Sequence, residues 1–463
     1  MKKLVITAFT FVCILGLITP LKLSGEEEVV IEDIKANLFI GDAGEMVESF
    51  EITVDDPATL VDLTAEDFDI TGNYDGYPLN EAEETAQENY QDDELALSID
   101  ENTITLTFRP FKYPGGPVED FEVVNEQYPT LSFTADDVTS ETRRTIDDFE
   151  FNSFTGSNGT TLNYRLNLAD TGQPEPLMVF MHGGGEVGSD NQIHITSNRG
   201  AVFGLEAGKT TNVLSVQFPD NYDWAVYDNE EELATMQAQF EAYYELIQSL
   251  IDSGDVDEDR IYVYGISSGG GWTLRFLMQY PDLAAAAITV APKDAVADYT
   301  GDVDAFIDAL QGIEHIPHWI IHAETDPITD VRTSLLTHEA LETLGAEDLH
   351  LTIYDEQTMN DQRFYGPLAH WSWVPVFNDD TILDWLFAQE KTVTDDEQST
   401  EEETSTLPDD NNGVDEINED TDSNTSDQIE NPKTGDHSSI GFFMIIAVLS
   451  SLGLFFLRNK RHI

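Results

Sequence analysis

The stretch that most constrains this chain is Ile261-Tyr262-Val263-Tyr264-Gly265-Ile266-Ser267-Ser268-Gly269-Gly270-Gly271-Trp272. An apolar, β-branched run stops at Gly265 and helix-compatible residues follow over 272–280, so a buried strand has to become a helix within a few residues. Between them stands Gly265-x-Ser267-x-Gly269. On so tight a turn the middle side chain is exposed beyond the end of the sheet, and flanking glycines leave room for close backbone approach. The free N–H groups of the new helix face that serine, where negative charge develops in acyl transfer. Ser267 is therefore the candidate nucleophile, and the alternative is a glycine-rich strand-to-helix connection in some other α/β domain. The rest of the chain has to decide between them.

From about residue 149 strands and helices alternate, which implies an α/β region with a mostly parallel sheet covered on both faces. Strands are expected at 161–168, 177–181, 213–218, 285–290, 319–322 and 351–354, and helices at 230–250, 335–344 and 381–389. The strand at 177–181 runs into His182-Gly183-Gly184-Gly185-Glu186-Val187-Gly188-Ser189-Asp190-Asn191. Three successive glycines let backbone N–H groups reach a ligand oxygen with no Cβ in the way, as an oxyanion hole requires. The two donors are expected at Gly184 and at Ser268, the residue after the nucleophile. A phosphate-cradling loop is the alternative, but no Gly-Lys-Ser/Thr follows.

A serine at neutral pH needs a base, and the base needs a carboxylate to orient it. In this topology they follow the serine in the order acid, then histidine, each after a strand. Asp326 lies just past the strand at 319–322, where Pro327 stops the ladder, and is the candidate acid, with Asp330 and Glu324 as alternatives. His338 falls in a helical pattern and His350 begins a strand. His370 sits in a loop between the last strand and the last helix, beside Trp371 and Trp373, and is the candidate base. Chemistry of this kind needs no metal and no cofactor.

The preceding region, 27–144, favours short strands, at 47–54, 68–71, 95–99, 103–108 and 130–133, separated by turns such as Tyr113-Pro114-Gly115-Gly116-Pro117. That layout fits an all-β immunoglobulin-like sandwich acting as an accessory module to a catalytic domain at 147–390. Asp55-Asp56 and Asp92-Asp93 could bind calcium, but in so acidic a chain they read as solvated surface.

The ends carry addresses. Residues 1–25 combine Lys2 and Lys3 with a short apolar stretch, a pattern expected of a secretory signal peptide, and Cys13 inside it is the only cysteine. The mature chain would then have no disulfide and no thiol chemistry. Residues 391–430 are acidic and nearly free of apolar side chains, so an extended spacer is expected. At 431–463, Asn431-Pro432-Lys433-Thr434-Gly435 precedes an apolar segment, 440–457, and then basic residues. A plain single-pass membrane anchor is one reading of that segment. The three parts together resemble the sorting signal of Gram-positive wall proteins, with Asn431 where the commonest form has Leu. The resemblance implies sortase cleavage after Thr434, its attachment to peptidoglycan and display on the outside of the cell.

The formal net charge is −69, and removal of both ends would leave 15 basic against 89 acidic residues, about −74. No basic surface exists to displace counterions from phosphates, which excludes nucleic acid as a partner. Acidity of this size suits high salt or high pH, where screening blunts self-repulsion.

From about residue 149 to 390 the chain resembles secreted α/β-hydrolase esterases, the "predicted peptidase" group related to polyhydroxybutyrate depolymerase-like and feruloyl-esterase-like enzymes. The shared residues are His182-Gly183-Gly184-Gly185-Glu186 with Gly188, Asp190 and Asn191, then Gly265-Ile266-Ser267-Ser268-Gly269, Asp326-Pro327, and His370 with Trp373. Val187 departs from the arginine often found there. The resemblance implies a serine carboxylesterase with an N-terminal immunoglobulin-like domain. A serine peptidase of the same fold and a wall-displayed binding protein with an inert hydrolase domain are the alternatives. Acetylated or feruloylated polysaccharide, a short polyester and a small lipid ester all remain open as substrates.

Overall fold

The computed structural model describes residues 29–73, 87–89, 94–113, 121–219, 230–293, 296–297, 303–362, 364 and 366–391. They all belong to one unit, Met1–Thr394. The expected signal peptide, the acidic spacer beyond Lys391 and the sorting signal, with Thr434 and the apolar segment at 440–457, lie outside the described residues, as do Asp92 and Asp93.

The apolar runs of the second region form an eight-stranded sheet: β1 Glu150–Thr155, β2 Thr161–Asn167, β3 Glu175–Met181, β4 Asn212–Gln217, β5 Val256–Ile266, β6 Ala286–Val290, β7 His318–Ala323 and β8 Leu349–Tyr354. Their spatial order is β1-β2-β4-β3-β5-β6-β7-β8. The β1–β2 and β2–β4 pairs are antiparallel and every later pair is parallel. Every residue of β4 and β6 is buried, as is the C-terminal half of β5. Strands covered on both faces have no solvent side to alternate with, which is why a segment such as Leu177-Met178-Val179-Phe180-Met181 reads as an unbroken apolar run.

Helices α1 Glu230–Ser253, α2 Ser268–Gln279 and α3 Arg332–Leu344 cover one face, packing Phe240, Tyr243, Trp272, Phe276 and Leu341 against it. Helix α4 Asp380–Phe387 and shorter turns cover the other with Phe203, Phe377, Ile382 and Leu383. The helix expected from Trp272 starts at Ser268, so Gly269, Gly270 and Gly271 are helical. Strand β1 was not expected. Its two apolar residues, the 63% exposed Phe151 and the partly buried Phe154, are three positions apart and face opposite ways, so the sequence at this sheet edge carries no apolar alternation.

The first region forms two sheets. One has five strands in the order 96–100, 103–112, 44–54, 31–41, 140–143, and the other four, in the order 87–89, 68–73, 122–125, 133–134. They enclose a common core of Phe50, Phe108, Phe111, Phe121 and Phe133. The strand expected at 130–133 is corrected. Pro129 has a fixed φ and no N–H to give a ladder, and opens a 3-10 turn, Pro129–Leu131, leaving only Phe133–Thr134 to pair. The tip of the hairpin between 31–41 and 44–54 meets the second region. Ile40 joins its core beside Ile195 and Phe203, and Asn378 Nδ2 donates to Asp42 Oδ1 at 2.8 Å. Among the described residues no helix is long and apolar enough to cross a membrane.

Candidate active site

The turn between β5 and α2 explains its own sequence. A Cβ on Gly265 would stand 2.2 Å from the Gly269 carbonyl oxygen, and one on Gly269 would stand 2.0 Å from that of Met181, so neither position accepts a side chain. Ser267 between them has φ 52° and ψ −121°, a conformation costing an L-residue on the order of 1–3 kcal/mol. Neighbours hold it there. Ser267 N–H donates to Val290 O at 2.9 Å, and Ser267 O accepts from Gly270 N–H at 3.0 Å and Lys293 N–H at 2.9 Å.

His370 Nε2 lies 2.9 Å from Ser267 Oγ, and His370 Nδ1 lies 2.7 Å from Asp326 Oδ2. The sequence puts His370 in a loop, whereas it ends a 3-10 turn, Gly366–His370, with its ring edge-on to Trp373 at 5.1 Å. The Asp326 side chain is fully buried. Its Oδ2 also accepts from Thr329 Oγ1 at 2.7 Å and sits 3.3 Å from His322 Nε2, while Oδ1 accepts from the N–H groups of Ile328 at 2.8 Å and Thr329 at 3.1 Å. Burial by itself would raise this carboxyl. The hydrogen bonds from His322 and His370, the His370 charge and the Thr329 bond outweigh it and hold Asp326 well below the usual carboxylate range. An ionised Asp326 accepts the Nδ1 proton, which leaves Nε2 as an acceptor facing the serine hydroxyl. Of the alternatives, Asp330 is paired with Arg332 at 2.6 Å and Glu324 is exposed. His338 lies within α3, and His350 Nε2 is 2.9 Å from Asp348.

The glycine loop lies against the serine. Gly184–Glu186 forms one 3-10 turn, and a Cβ on Gly184 would be 2.8 Å from Ser268 Oγ. Gly184 and Ser268 are thus neighbours across the site, and among the described residues neither backbone N–H is taken by an acceptor. The loop is pinned to the end of β4. Buried His182 has its pKa lowered to about 4 by desolvation, so it is neutral, donating from Nδ1 to Gly183 O at 2.7 Å and accepting at Nε2 from Phe218 N–H at 3.0 Å. Gly188 N–H donates to Phe218 O at 2.8 Å. Gln217 Nε2 donates to Glu186 O and to Asp190 Oδ1, both at 3.2 Å, and Gln217 Oε1 accepts from Asn191 N–H at 2.6 Å.

Sequence reasoning misses Gln217, Thr329, the carboxyl of Glu186 and the part played by His322. Only His322 leaves a signal, a polar residue closing an apolar strand four positions before Asp326. Asp55 and Asp56 are engaged locally, Asp55 Oδ1 accepting from Val30 N–H and Asp56 Oδ1 from Ala58 N–H. Among the described residues no group of three His, Cys, Asp or Glu is arranged to hold a metal. Two surface cavities, about 230 and 330 Å³, are lined by other residues, the first by Arg199, Phe203 and Phe377 and the second by Tyr244, Tyr280 and Lys391.

Residues 168–364 match the Phospholipase/Carboxylesterase family, a span that takes in the glycine loop, Ser267 and Asp326 and ends before His370. No curated protein matches the chain. Among solved structures, a thermostable esterase is 24% identical with a TM-score of 0.57, over 78% of this chain and 100% of that one. A putative dipeptidyl aminopeptidase IV from Bacteroides ovatus is 16% identical with a TM-score of 0.39, over 58% of this chain and 40% of that one. A putative dienelactone hydrolase from Klebsiella pneumoniae is 16% identical with a TM-score of 0.36, over 52% of this chain and 98% of that one. The second region accounts for about half of the 463 residues, so the likeness to the thermostable esterase extends into the N-terminal sheets. The second region has the α/β-hydrolase fold, and the protein is a serine hydrolase.

Proposed function

We propose that this protein is a carboxylesterase working through Ser267, His370 and Asp326, displayed on the cell wall behind an N-terminal immunoglobulin-like module. Ser267 Oγ attacks the acyl carbonyl carbon while His370 Nε2 takes its proton. The same proton then passes to the departing alkoxide, and Asp326 holds the imidazolium in between. Gly184 and Ser268 N–H groups receive the oxyanion, each such donor contributing about 2.7–4 kcal/mol to the transition state. Water, deprotonated by His370, releases the acyl group as the acid and restores Ser267.

The observation that carries this reading is the pair of contacts at His370, 2.9 Å to Ser267 Oγ and 2.7 Å to Asp326 Oδ2, at a serine held with φ 52° on a helix N-terminus. The family matched over 168–364 supports carboxylic ester substrates. Ser267→Ala is expected to lower kcat on short-chain p-nitrophenyl esters by on the order of 10⁶-fold. Substantial turnover left in that variant would end the assignment, and faster cleavage of peptide amides than of esters in the wild type would make the protein a peptidase instead. The location rests on Asn431-Pro432-Lys433-Thr434-Gly435 and the apolar segment after it. Muramidase-released wall fragments should carry Thr434 in amide linkage to peptidoglycan. Recovery of the protein in the detergent fraction with its C-terminal segment intact would replace wall attachment by a membrane anchor.

A further inference from the structure

Glu186 is the buried group next to the serine that the proposed reaction leaves unused. Its Oε1 accepts from Ser197 Oγ at 3.0 Å and lies 3.4 Å from Asn198 Nδ2. Its Oε2 is sealed from solvent and, among the described residues, has no hydrogen-bond partner. A Cβ on Gly183 would stand 2.8 Å from that Oε2 and 3.6 Å from Ser267 Cβ, so the carboxyl and the nucleophile both border the space that a side chain at Gly183 would fill. The main chain of the same residue is also held, with Glu186 N–H donating to Gly183 O at 3.3 Å and Glu186 O accepting from Gln217. One side chain thus joins the glycine turn to the Ser197-Asn198 segment, and a turn with three glycines has little stiffness of its own.

We propose that Glu186 is a positioning residue for the transition state: its carboxyl, wedged between Gly183 and the Ser197-Asn198 segment, fixes where the Gly184 N–H points. The inference rests on the reading of Gly184 and Ser268 as oxyanion donors. Burial is the largest influence on the Glu186 carboxyl and pushes it above the usual carboxylate range, against the Ser197 hydrogen bond, nearby backbone N–H groups and the His370 charge. Glutamine has the same shape and keeps an oxygen that can accept from Ser197 Oγ, so it can replace the carboxyl where alanine cannot.

The test compares Glu186→Ala, Glu186→Gln and Ser267→Ala in the intact protein, measuring kcat and KM on a p-nitrophenyl ester and the inhibition constant of an aryl trifluoromethyl ketone. That ketone forms a tetrahedral adduct with the serine and presents an oxyanion to the donors. Glu186→Ala should lower kcat about 10- to 100-fold with KM changed less than about threefold, and should weaken ketone binding by a similar factor. Glu186→Gln should recover most of both losses. A purely structural role would lower the melting temperature and leave the ketone constant alone. The inference is overturned if kcat of folded Glu186→Ala stays within about twofold of wild type, if the loss falls on KM alone, or if glutamine rescues nothing. Should Glu186→Ala fail to fold, Ser197→Ala removes one anchor of the carboxyl, and an unchanged kcat and ketone constant there overturn the inference equally. An active Ser267→Ala variant would instead sink the proposed function, so the two failures are told apart.

Discussion

In the N-terminal sheets the buried side chains are almost all hydrocarbon. Phe50 is ringed by Phe108, Phe121 and Phe133 at centroid distances of 5.3, 5.0 and 5.1 Å, and Asn125 is the buried polar residue among the described positions of that region. The hydrolase region, in contrast, buries His182, His194, Gln217, His318, His322 and His370 along with many smaller polar groups. Polar groups removed from water are costly unless bonded, so a fold selected for stability alone has little use for them. Here several of them hold the groups proposed to react. His182 and Gln217 hold the glycine loop, and His322 and Thr329 hold Asp326. The first interior provides stability, and the second gives up part of its own to hold functional groups in place.

The comparison can be broken most forcefully at Phe50. It is fully buried against four aromatic rings, and Phe50→Ala should cost the N-terminal sheets about 3–5 kcal/mol. All six tryptophans, Trp224, Trp272, Trp319, Trp371, Trp373 and Trp385, follow residue 149, so tryptophan fluorescence reports on the hydrolase region alone. The two regions have separate cores, joined through Ile40 and Ile146, which enter the hydrolase core, and through Asp42, which meets Asn378 and Arg199. In Phe50→Ala the loss of β-sheet circular dichroism should therefore begin at a lower temperature than the tryptophan transition, with esterase turnover kept between the two. Coincident transitions, shifted together, would show that the hydrolase depends on its neighbour for stability and that the division drawn above is false.

The same contrast explains what could be read from the sequence. Fully buried parallel segments such as 177–181 of β3 and 261–266 of β5 leave nearly continuous apolar runs, and the space at Gly265 and Gly269 leaves no residue but glycine, so the frame of the site is written locally. Edge strands are harder. Ser140-Glu141-Thr142-Arg143 pairs in parallel with the strand Ile31–Gly41 and contains no apolar residue at all. That first strand does alternate, burying Ile34, Ala36, Leu38 and Ile40, but the half-buried Lys35, Asn37 and Phe39 between them mix charged, polar and apolar types and blur the pattern. The order of serine, acid and histidine in the chain points to Ser267, Asp326 and His370. Apart from His322, the groups that hold them do not show in the sequence. Gln217 meets Glu186 from 31 positions away, and Ser334 meets His322 from α3, contacts that only the folded arrangement of strands creates.

Acid should sharpen the comparison from the other side, because all ten histidines lie beyond residue 149 and the N-terminal sheets have none. Burial lowers the pKa of His182 to about 4 and that of His318 to about 3, and His194 is lowered in the same direction. An unfolded histidine takes up its proton near 6.5. Between the folded and unfolded values the unfolded chain binds the proton and the folded chain does not, so stability rises with pH across this window and is lost as pH falls through it. For His182 alone the loss between pH 6.5 and 4 amounts to about 3 kcal/mol. In the N-terminal sheets Glu51 is lowered chiefly by its hydrogen bond from Lys35, so that contribution fades only below the ordinary carboxylate range. Titration from pH 7 should therefore shift tryptophan fluorescence between about pH 6 and 4 while the N-terminal sheets persist, the reverse of the order expected in Phe50→Ala. If both signals instead hold to pH 4 and then fail together, protonation of carboxylates sets the acid limit of the whole chain, and the buried histidines carry no special cost.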